Sequence, residues 1–359
     1  MAPQTVAGVL HVYVAFDWGD SLDLPRARDL VASGSYQELT RRRRTPSSFA
    51  YRPAPLHIEL PAVSLELAEI ERVEAVVGLT LFDIAAVSLS FRIPFSLDSQ
   101  ALLRLASSLA ETQWLAEKAR TLAQPVFESL KPALEDPVFA AELSEDYFVF
   151  QLPPDALPLA NNADWIAGLV HLDASPLSIE ERDEALRLRI SYSPEDLCIA
   201  DWTACALFDR DCEETLQAIE FANVQLLEFR HIDRRLDTSL AEATKAIHPL
   251  TRGMLPFWRI QSRPLRVLGE MKVEANDLFE RTGNVLKLVG DPYLARLYRL
   301  VSTRFHLDQW AENIQRKLEV AEGVYQVMSD QASGFRMEFM ELVVVLLISL
   351  EIVLAFFHR

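Results

Sequence analysis

Two neighbouring stretches decide the fold class: residues 196–208, DLCIADWTACALF, and residues 215–240, TLQAIEFANVQLLEFRHIDRRLDTSL. The first is a short, mostly apolar run, which predicts a strand. The second repeats its apolar residues at helical spacing and follows Asp211, a residue type that caps helix N-termini. The chain thus changes near Asp209 from mixed elements to long helices. The pattern predicts an α+β fold: an N-terminal mixed sheet-and-helix domain, then a long helical arm that ends in a hydrophobic C-terminal helix.

The front of the chain carries further strand and helix signals. Apolar and partly alternating runs predict strands. Helices are expected where polar capping residues precede leucines at helical spacing. The predicted strands are 9–16, 55–60, 73–95 and 147–152, and the predicted helices are 102–119, 125–134 and 178–188. The basic run Arg41–Arg44 beside a Thr-Pro-Ser-Ser turn cluster predicts a solvated loop.

One long helix is predicted from Asp291 to the end of the chain, because Asp291 is a good N-cap and Pro292 suits the first helical position. A 4-3 spacing of uncharged residues runs along it. This heptad seam is expected either to pair helices of different copies or to pack on the helix's own domain. Its main residues are Leu307, Ile314, Leu318, Tyr325, Met328, Phe335 and Phe339.

The tail, LVVVLLISLEIVLAFF at 342–357, has a single charged residue, Glu351. Its apolar side chains favour insertion into a bilayer by about 6 kcal/mol and Glu351 opposes it by about 3 kcal/mol. The sequence therefore predicts a short C-terminal membrane anchor that includes Leu342, Leu346, Glu351, Val353 and Phe356. The alternative is that the tail forms the buried core of a soluble oligomer, since the run is short for a span.

Four regions follow from these signals. They are an α+β head at 1–208, a helical arm at 209–290, a stalk helix at 291–340 and a hydrophobic tail at 341–359.

Composition narrows the function classes. The net charge of −17, from 52 acidic against 35 basic residues, argues against a nucleic-acid partner, because such binding neutralises phosphates with Lys and Arg. Cys198, Cys205 and Cys212 are seven residues apart and form no CxxC pair, so neither a disulfide framework nor a zinc site is indicated. The N-terminus lacks the features of a secretory signal or a transit peptide.

The chain has none of the common catalytic or cofactor motifs. Its eleven glycines form no GxGxxG or P-loop pattern, and no GxSxG, HExxH or EF-hand sequence occurs. We therefore predict no catalytic residues, no cofactor and no metal site. A charge cluster is expected to form a polar network; its residues are His231, Asp233, Arg234 and Arg235. Asp201 lies in an apolar run and is expected to be buried, with an Arg from the helical region as its partner.

Several segments resemble one family. They are residues 176–208, residues 214–237 (ETLQAIEFANVQLLEFRHIDRRLD), residues 290–328 and residues 341–357 (ELVVVLLISLEIVLAFF). Together they resemble the "required for meiotic nuclear division" or YagE family over roughly residues 145–357. The resemblance implies a membrane-associated protein with a C-terminal hydrophobic segment and large assemblies, and it supplies no catalytic residues.

Three hypotheses follow for function. The first is a non-enzymatic, self-associating scaffold that the tail anchors in a membrane, with the head in the cytoplasm of a bacterial-type cell. The second is an oligomeric membrane pore or ion-handling protein with Glu351 in the bundle. The third is an enzyme of unknown reaction that uses the region of Asp201 and His231. A homo-oligomer and a lipid bilayer are the expected partners.

Overall fold

The computed structural model divides the chain into two compact units. The first comprises Met1–His231 and Glu280–Asp308, and the second comprises Ile232–Phe279 and Gln309–Arg359. The described residues are 5–33, 37–38, 53–140, 142–250, 273, 275–276, 279 and 292–357, with backbone alone for 243–250, 325, 327–342 and 351–357. The predicted α+β class is confirmed, since a mixed sheet with helices precedes a helical C-terminal region. The four-region division stays a prediction.

Within the described residues, the first unit is built on a nine-stranded mixed sheet with the order β3-β4-β5-β6-β1-β8-β11-β10-β9. Neighbouring strands are antiparallel except β8 and β11, which are parallel. The strands of this sheet are β1 (Thr5–Asp17), β3 (Gln37–Glu38), β4 (Leu56–Leu67), β5 (Ile70–Leu81), β6 (Ala86–Asp98), β8 (Ser144–Leu152), β9 (Arg189–Ile190), β10 (Leu197–Ala200) and β11 (Ala204–Phe208). A separate pair joins β2 (Ser21–Leu22) to β7 (Leu134–Glu135).

Helices pack on the sheet of the first unit, and the described elements from Glu213 onward are helical. The described α-helices are α1 (Leu24–Ser33), α2 (Ser99–Leu109), α3 (Trp114–Leu130), α4 (Ala163–His171), α5 (Ile179–Ala185), α6 (Glu213–Leu250), α7 (Pro292–Arg304) and α8 (Leu307–Phe357). Short 3₁₀ helices cover Lys131–Ala133 and Pro154–Asn161.

One face of the sheet is apolar. Strand residues alternate between the two faces, so every second side chain of β1 points the same way. On the apolar face, Leu10, Val12 and Phe16 belong to one buried cluster with residues of α2, α3 and α4. Leu102 of α2 and Leu169 of α4 are fully buried in that cluster. This face forms the main core of the first unit.

The opposite face is rich in polar groups, although it is just as buried. His11 and Asp17 of β1 are 2% and 4% exposed. The first-unit part of α6 contacts this face, and the side-chain amide of Asn223 donates to the Glu145 carbonyl at 3.2 Å. Phe82 and Phe221 supply an aromatic contact with ring centroids 6.0 Å apart. Buried polar groups must find partners in the fold, so this face is where polar sites can form.

Several predicted boundaries differ from the structure because turns interrupt runs of like residues. The predicted strand 73–95 is two strands, β5 and β6, and the predicted strand 196–208 is the hairpin β10–β11. In that hairpin the Asp201 N–H donates to the Ala204 carbonyl at 2.8 Å. The predicted helix 102–119 is likewise interrupted between α2 and α3. The run Arg41–Arg44 lies outside the described residues.

The helix predicted to run unbroken from Asp291 is two helices, α7 and α8. Pro292 is the first residue of α7, as predicted, and α7 ends at Arg304. His306 has a φ of 52°, in the left-handed region that a continuing α-helix does not use. The predicted seam begins at Leu307, after this break, so its spacing carried no information about the break.

Helix starts were predicted with mixed success. The Ser178 hydroxyl accepts from the Glu181 N–H at 3.1 Å, so the predicted capping residue begins α5. For α2, the cap is Asp98, whose carboxylate accepts from the N–H groups of Gln100 and Ala101. Ser96 and Ser99, which precede the leucines of this helix, are also residue types that cap helices, but neither caps α2. A carboxylate next to a serine competes for the same role, and the charged acceptor is the stronger one.

Candidate functional site

The predicted heptad seam is partly covered by the protein's own second unit. Ile314 and Leu318 of α8 are 0% and 7% exposed. Ala321 is also buried, and Leu240 of α6 and Val324 pack against it. Leu307, at the start of α8 in the first unit, is 2% exposed. The seam from Ile314 to Ala321 therefore packs on its own chain, which is one of the two arrangements expected from the sequence.

The side chains of the other seam residues, Tyr325, Met328, Phe335 and Phe339, lie outside the described residues, as do those of Leu342, Glu351, Val353 and Phe356 in the predicted membrane segment. Their roles stay predictions.

Further along α8, the apolar side chains are exposed. We call Val344–Leu350 the exposed segment. Its six Val, Leu and Ile residues are each between 50% and 62% exposed. Val344 to Ile348 are consecutive, and five consecutive residues cover more than one full helical turn. The apolar surface therefore surrounds the helix on all sides and is left uncovered by the described residues of the same chain.

The predicted membrane anchor is wrong. Among the helices that the structure describes, none is both long and apolar enough to cross a bilayer. The apolar run 342–357 has sixteen residues, or about 24 Å of helix, against a hydrocarbon core of about 30 Å. The hydropathy of the individual residues favours insertion, but the run is too short for a span. Three further predictions depended on this anchor and are wrong for the same reason: the membrane-anchored scaffold, the membrane pore and the single-pass membrane localisation.

A second site is centred on the buried carboxylate of Asp201. The Arg304 guanidinium lies 3.5 Å from Asp201 Oδ1. It also donates to the side chain of Glu184 at 3.0 Å and to the main-chain oxygens of Glu184 and Ala200 at 2.6 and 3.3 Å. Each side chain of the Asp201–Arg304 pair is less than 10% exposed. Arg304 thus supplies the cation that a buried aspartate requires, and it joins α7 to the edge of the sheet.

His171 and Tyr147 complete the surroundings of Asp201. The Nδ1 of His171, at the end of α4, donates to Asp201 Oδ2 at 2.9 Å. Its Nε2 lies 3.8 Å from Glu181. The Tyr147 hydroxyl donates to the Asp201 carbonyl at 2.9 Å, and burial raises the pKa of Tyr147 well above its usual value. Tyr147 therefore acts as a neutral hydrogen-bond donor that fixes the hairpin turn.

His231 belongs to a different cluster, at the end of β1. Its Nδ1 lies 3.4 Å from Asp17 Oδ2. The neighbouring residue Arg230 forms an ion pair with Glu145 of β8. Burial raises the pKa of Glu145 to about 7, although the charge of Arg230 opposes that rise. This cluster lies on the polar face of the sheet, beneath the first-unit part of α6.

The remaining residues of the predicted charge cluster lie in the second unit. Lys317 of α8 contacts Asp233 at 2.7 Å and Asp237 at 2.6 Å. Arg234 and Arg235 lie on the same stretch of α6. The predicted polar residues thus form separate ion pairs, with different partners for Asp201, His231 and Asp233. Each ion pair joins elements of the same unit.

Sequence reasoning missed His171, Glu145 and Arg304 as site residues. For Arg304 a signal existed: Leu294, Leu297, Val301 and Arg304 follow one another at helical spacing, and all four are buried. An Arg at the last position of an apolar helix face requires a buried carboxylate as its partner. His171 and Glu145 carry no such signal.

Within the part of the chain that the structure describes, no group of three or more His, Cys, Asp or Glu side chains is arranged to hold a metal ion. The three cysteines are buried free thiols, and the sulfur atoms of Cys198 and Cys205 lie 3.4 Å apart.

Comparison with known proteins places the first unit in a family. Residues 7–214 match the family model described as uncharacterized protein MJ0711, N-terminal domain. The uncharacterized protein MJ0711 of Methanocaldococcus jannaschii is 28% identical over 204 residues, which are 56% of this chain and 62% of that protein. The match thus spans less than two thirds of the relative. No solved structure matches the chain. Because the family model covers more than half of the residues, the chain belongs to the family of the MJ0711 N-terminal domain.

Proposed function

We propose that this protein is a self-associating structural protein whose copies join through the exposed segment of α8. A single observation carries the proposal: six apolar side chains between Val344 and Leu350 are at least half exposed. Monomeric proteins rarely leave a continuous apolar surface of this kind in water, and such surfaces mark interaction sites.

A second copy of the chain is the partner that best fits this surface. The segment is apolar around the whole helix, so the same segment of another copy is complementary to it. The sequence after Leu350 continues as EIVLAFF, which extends the apolar run. The seam also carries no charge that would oppose close approach of identical helices. A bundle of several copies covers more of the surface than a pair does, so we expect three or more chains.

The energetics favour a bundle over a single pairwise contact. Covering the exposed half of one Val, Leu or Ile contributes about 1 kcal/mol, so the six residues contribute about 6 kcal/mol per chain. Association costs at least about 4 kcal/mol in lost freedom of motion. Contact with one neighbour covers only part of each helix, so the burial free energy exceeds the cost of association by little. Contacts with two neighbours per helix give a stable assembly.

The finer family relationship is part of this proposal. The segments 214–237, 290–328 and 341–357 support a distant relationship to the "required for meiotic nuclear division" family. A relationship of that kind agrees with assembly through the C-terminal helix, because large assemblies are what the resemblance implies.

Cross-linking at Ser349 tests the proposal. Ser349 lies inside the exposed segment, and its hydroxyl donates to the carbonyl of Val345 in its own helix at 2.7 Å. The native cysteines are buried, so the variant Ser349→Cys offers one accessible thiol. We expect a short bis-maleimide to join copies of Ser349→Cys into covalent dimers at micromolar concentration, because each chain offers a single reactive thiol.

The matched control is Ser175→Cys, at an exposed position of the first unit. It is expected to stay uncross-linked under the same conditions. Equal cross-linking of both variants, or none at Ser349→Cys, would contradict self-association through α8.

A further inference from the structure

A groove of about 500 Å³ lies on the first unit between the β4–β5 hairpin and the start of α3. It is far from the exposed segment in sequence and lies within the family domain. Its lining residues are Ser64, Leu65, Glu66, Arg72, Trp114 and Lys118. The volume falls in the range of small-molecule sites. We call it the Trp114 groove.

The hairpin wall of the groove is held in place by a two-point contact. Glu69, at the hairpin turn, has a φ of 66°. Its carboxylate accepts from Arg104 of α2 at 2.8 and 3.0 Å, a bidentate pair. Leu65 is 3% exposed and forms part of the main core. The wall is therefore joined to α2 at the turn through the Glu69–Arg104 pair and to the main core through Leu65 of β4.

Two cations face the groove without a carboxylate partner. Arg72 donates its Nε–H to the Ser64 hydroxyl at 2.9 Å. Within the described residues, neither Arg72 nor Lys118 forms an ion pair, and Glu66 is the single acid in the lining. In a chain of net charge −17, an excess of cations in a groove stands out. Unpaired Arg and Lys side chains of this kind suit a phosphate group.

Trp114 provides the apolar surface beside these cations. Its side chain is 39% exposed, although large aromatic residues bury most of their surface in folded proteins. Lys118 is four residues further along α3, so both side chains project from the same face of the helix. An exposed indole is a stacking surface for a planar ring.

We propose that the Trp114 groove binds a small phosphate ester that carries a planar ring, of the mononucleotide class. The ring stacks on Trp114, and the phosphate lies between Arg72 and Lys118. The Ser64 hydroxyl, held by Arg72, is placed to orient the guanidinium. No glycine-rich loop is required, because side chains rather than backbone N–H groups hold the phosphate in this arrangement.

Calorimetric titration of the full chain with adenosine monophosphate tests this inference. We expect a dissociation constant below 1 mM at low salt, about the level that a weak specific small-molecule site reaches. Adenosine lacks the phosphate and inorganic phosphate lacks the ring. Each is expected to bind at least about tenfold more weakly than adenosine monophosphate, since each retains half of the contacts.

The variants separate the two halves of the site. Trp114→Leu, and the double variant Arg72→Gln with Lys118→Gln, should each weaken binding by about tenfold or more. The control Arg210→Gln removes a surface cation that pairs with Asp155 elsewhere on the unit and should leave the affinity unchanged.

Thermal unfolding identifies any variant that fails to fold, and the double variant changes two surface residues alone. Three results would overturn the proposal: no heat at millimolar adenosine monophosphate, unchanged affinity in the folded double variant, or equal affinity for adenosine and adenosine monophosphate. None of these results bears on self-association through α8.

Discussion

Apolar residues of the same types have opposite surroundings in the two units. In the first unit, Val12, Leu89 and Phe91 of the central strands are fully buried. In the second unit, Val345 and Leu346 of the exposed segment are 62% and 61% exposed. The sheet core is buried within one chain, whereas the described residues of the chain leave the exposed segment uncovered. Substitutions in the first region should therefore change folding, and substitutions in the second should change association.

The largest effect on stability is expected in the sheet core. Phe91 lies on the apolar face of β6, between β1 and β5, and Phe91→Ala leaves a cavity there. We expect the free energy of unfolding to fall by about 4 kcal/mol. Urea denaturation followed by circular dichroism measures it. A loss below about 1 kcal/mol would show that the core can collapse around the missing ring.

The second effect concerns the buried pair on the edge of the sheet. Arg304→Met keeps the length of the side chain but leaves the carboxylate of Asp201 without its cation. We expect a loss of about 3 kcal/mol, because a buried charge that loses its partner keeps its desolvation cost. The control is Arg299→Met, an exposed position on the same helix, which should change stability by less than about 0.5 kcal/mol. Equal effects of both substitutions would refute the role of Arg304.

The third effect is a pH dependence on the polar face of the sheet, where two buried groups act in opposite directions. Burial lowers the pKa of His11 from 6.5 to about 4, partly offset by its hydrogen bond to Gln151. The unfolded chain then binds more protons between pH 4 and 6.5, and His11 makes stability rise with pH over that range. Glu145 has its pKa raised from 4.5 to about 7, so it makes stability fall with increasing pH over that window.

Single substitutions should reveal the separate contributions of His11 and Glu145 to the pH dependence of stability. In Glu145→Gln the rise due to His11 remains, so stability should increase between pH 4.5 and 6.5 by about 2 kcal/mol more than in the unmodified protein. In His11→Gln the difference should have the opposite sign. Urea denaturation at both pH values measures the change. The same sign for both variants would contradict the assignment of these shifts.

Much of the fold could be predicted because the relevant signals are local. The strand pattern around 9–16, the serine at 178 that caps α5 and Pro292 at the start of α7 each depend on a few adjacent residues. The order of the strands in the sheet does not depend on adjacent residues. Strand β8, for example, pairs with both β1 and β11, which are far from each other in the sequence. The need of Asp201 for an Arg was predictable from burial. That the partner is Arg304, 103 positions later, could not be predicted, because it depends on the path by which the chain brings α7 back to the sheet.

The tail shows where residue-by-residue estimates fail. Residues 342–357 are strongly apolar, but the length of such a run also decides whether a helix crosses a bilayer. Apolar composition is common to membrane spans and to the cores of helical bundles. The sequence left both alternatives open, and the finding that no described helix is long and apolar enough to span a bilayer contradicts the first of them.

The smallest effect on folding is expected in the exposed segment. Leu346→Ser with Ile348→Ser should change the free energy of unfolding of the isolated chain by less than about 0.5 kcal/mol, since both side chains are largely in water. Val320→Ser is the matched control, because Val320 is 59% exposed on the same helix but lies outside the segment. Denaturation at high dilution measures this change. A loss comparable to that of Phe91→Ala would mean that the segment is part of the folded core.

The mass of the particle in solution tests self-association most directly. Light scattering during size-exclusion chromatography should give at least three times 40.6 kDa for the full chain and for Val320→Ser. The variant Leu346→Ser with Ile348→Ser should elute as a folded particle of 40.6 kDa. A full chain that remains at 40.6 kDa at all concentrations, or a double variant with the same mass as the full chain, would contradict assembly through α8.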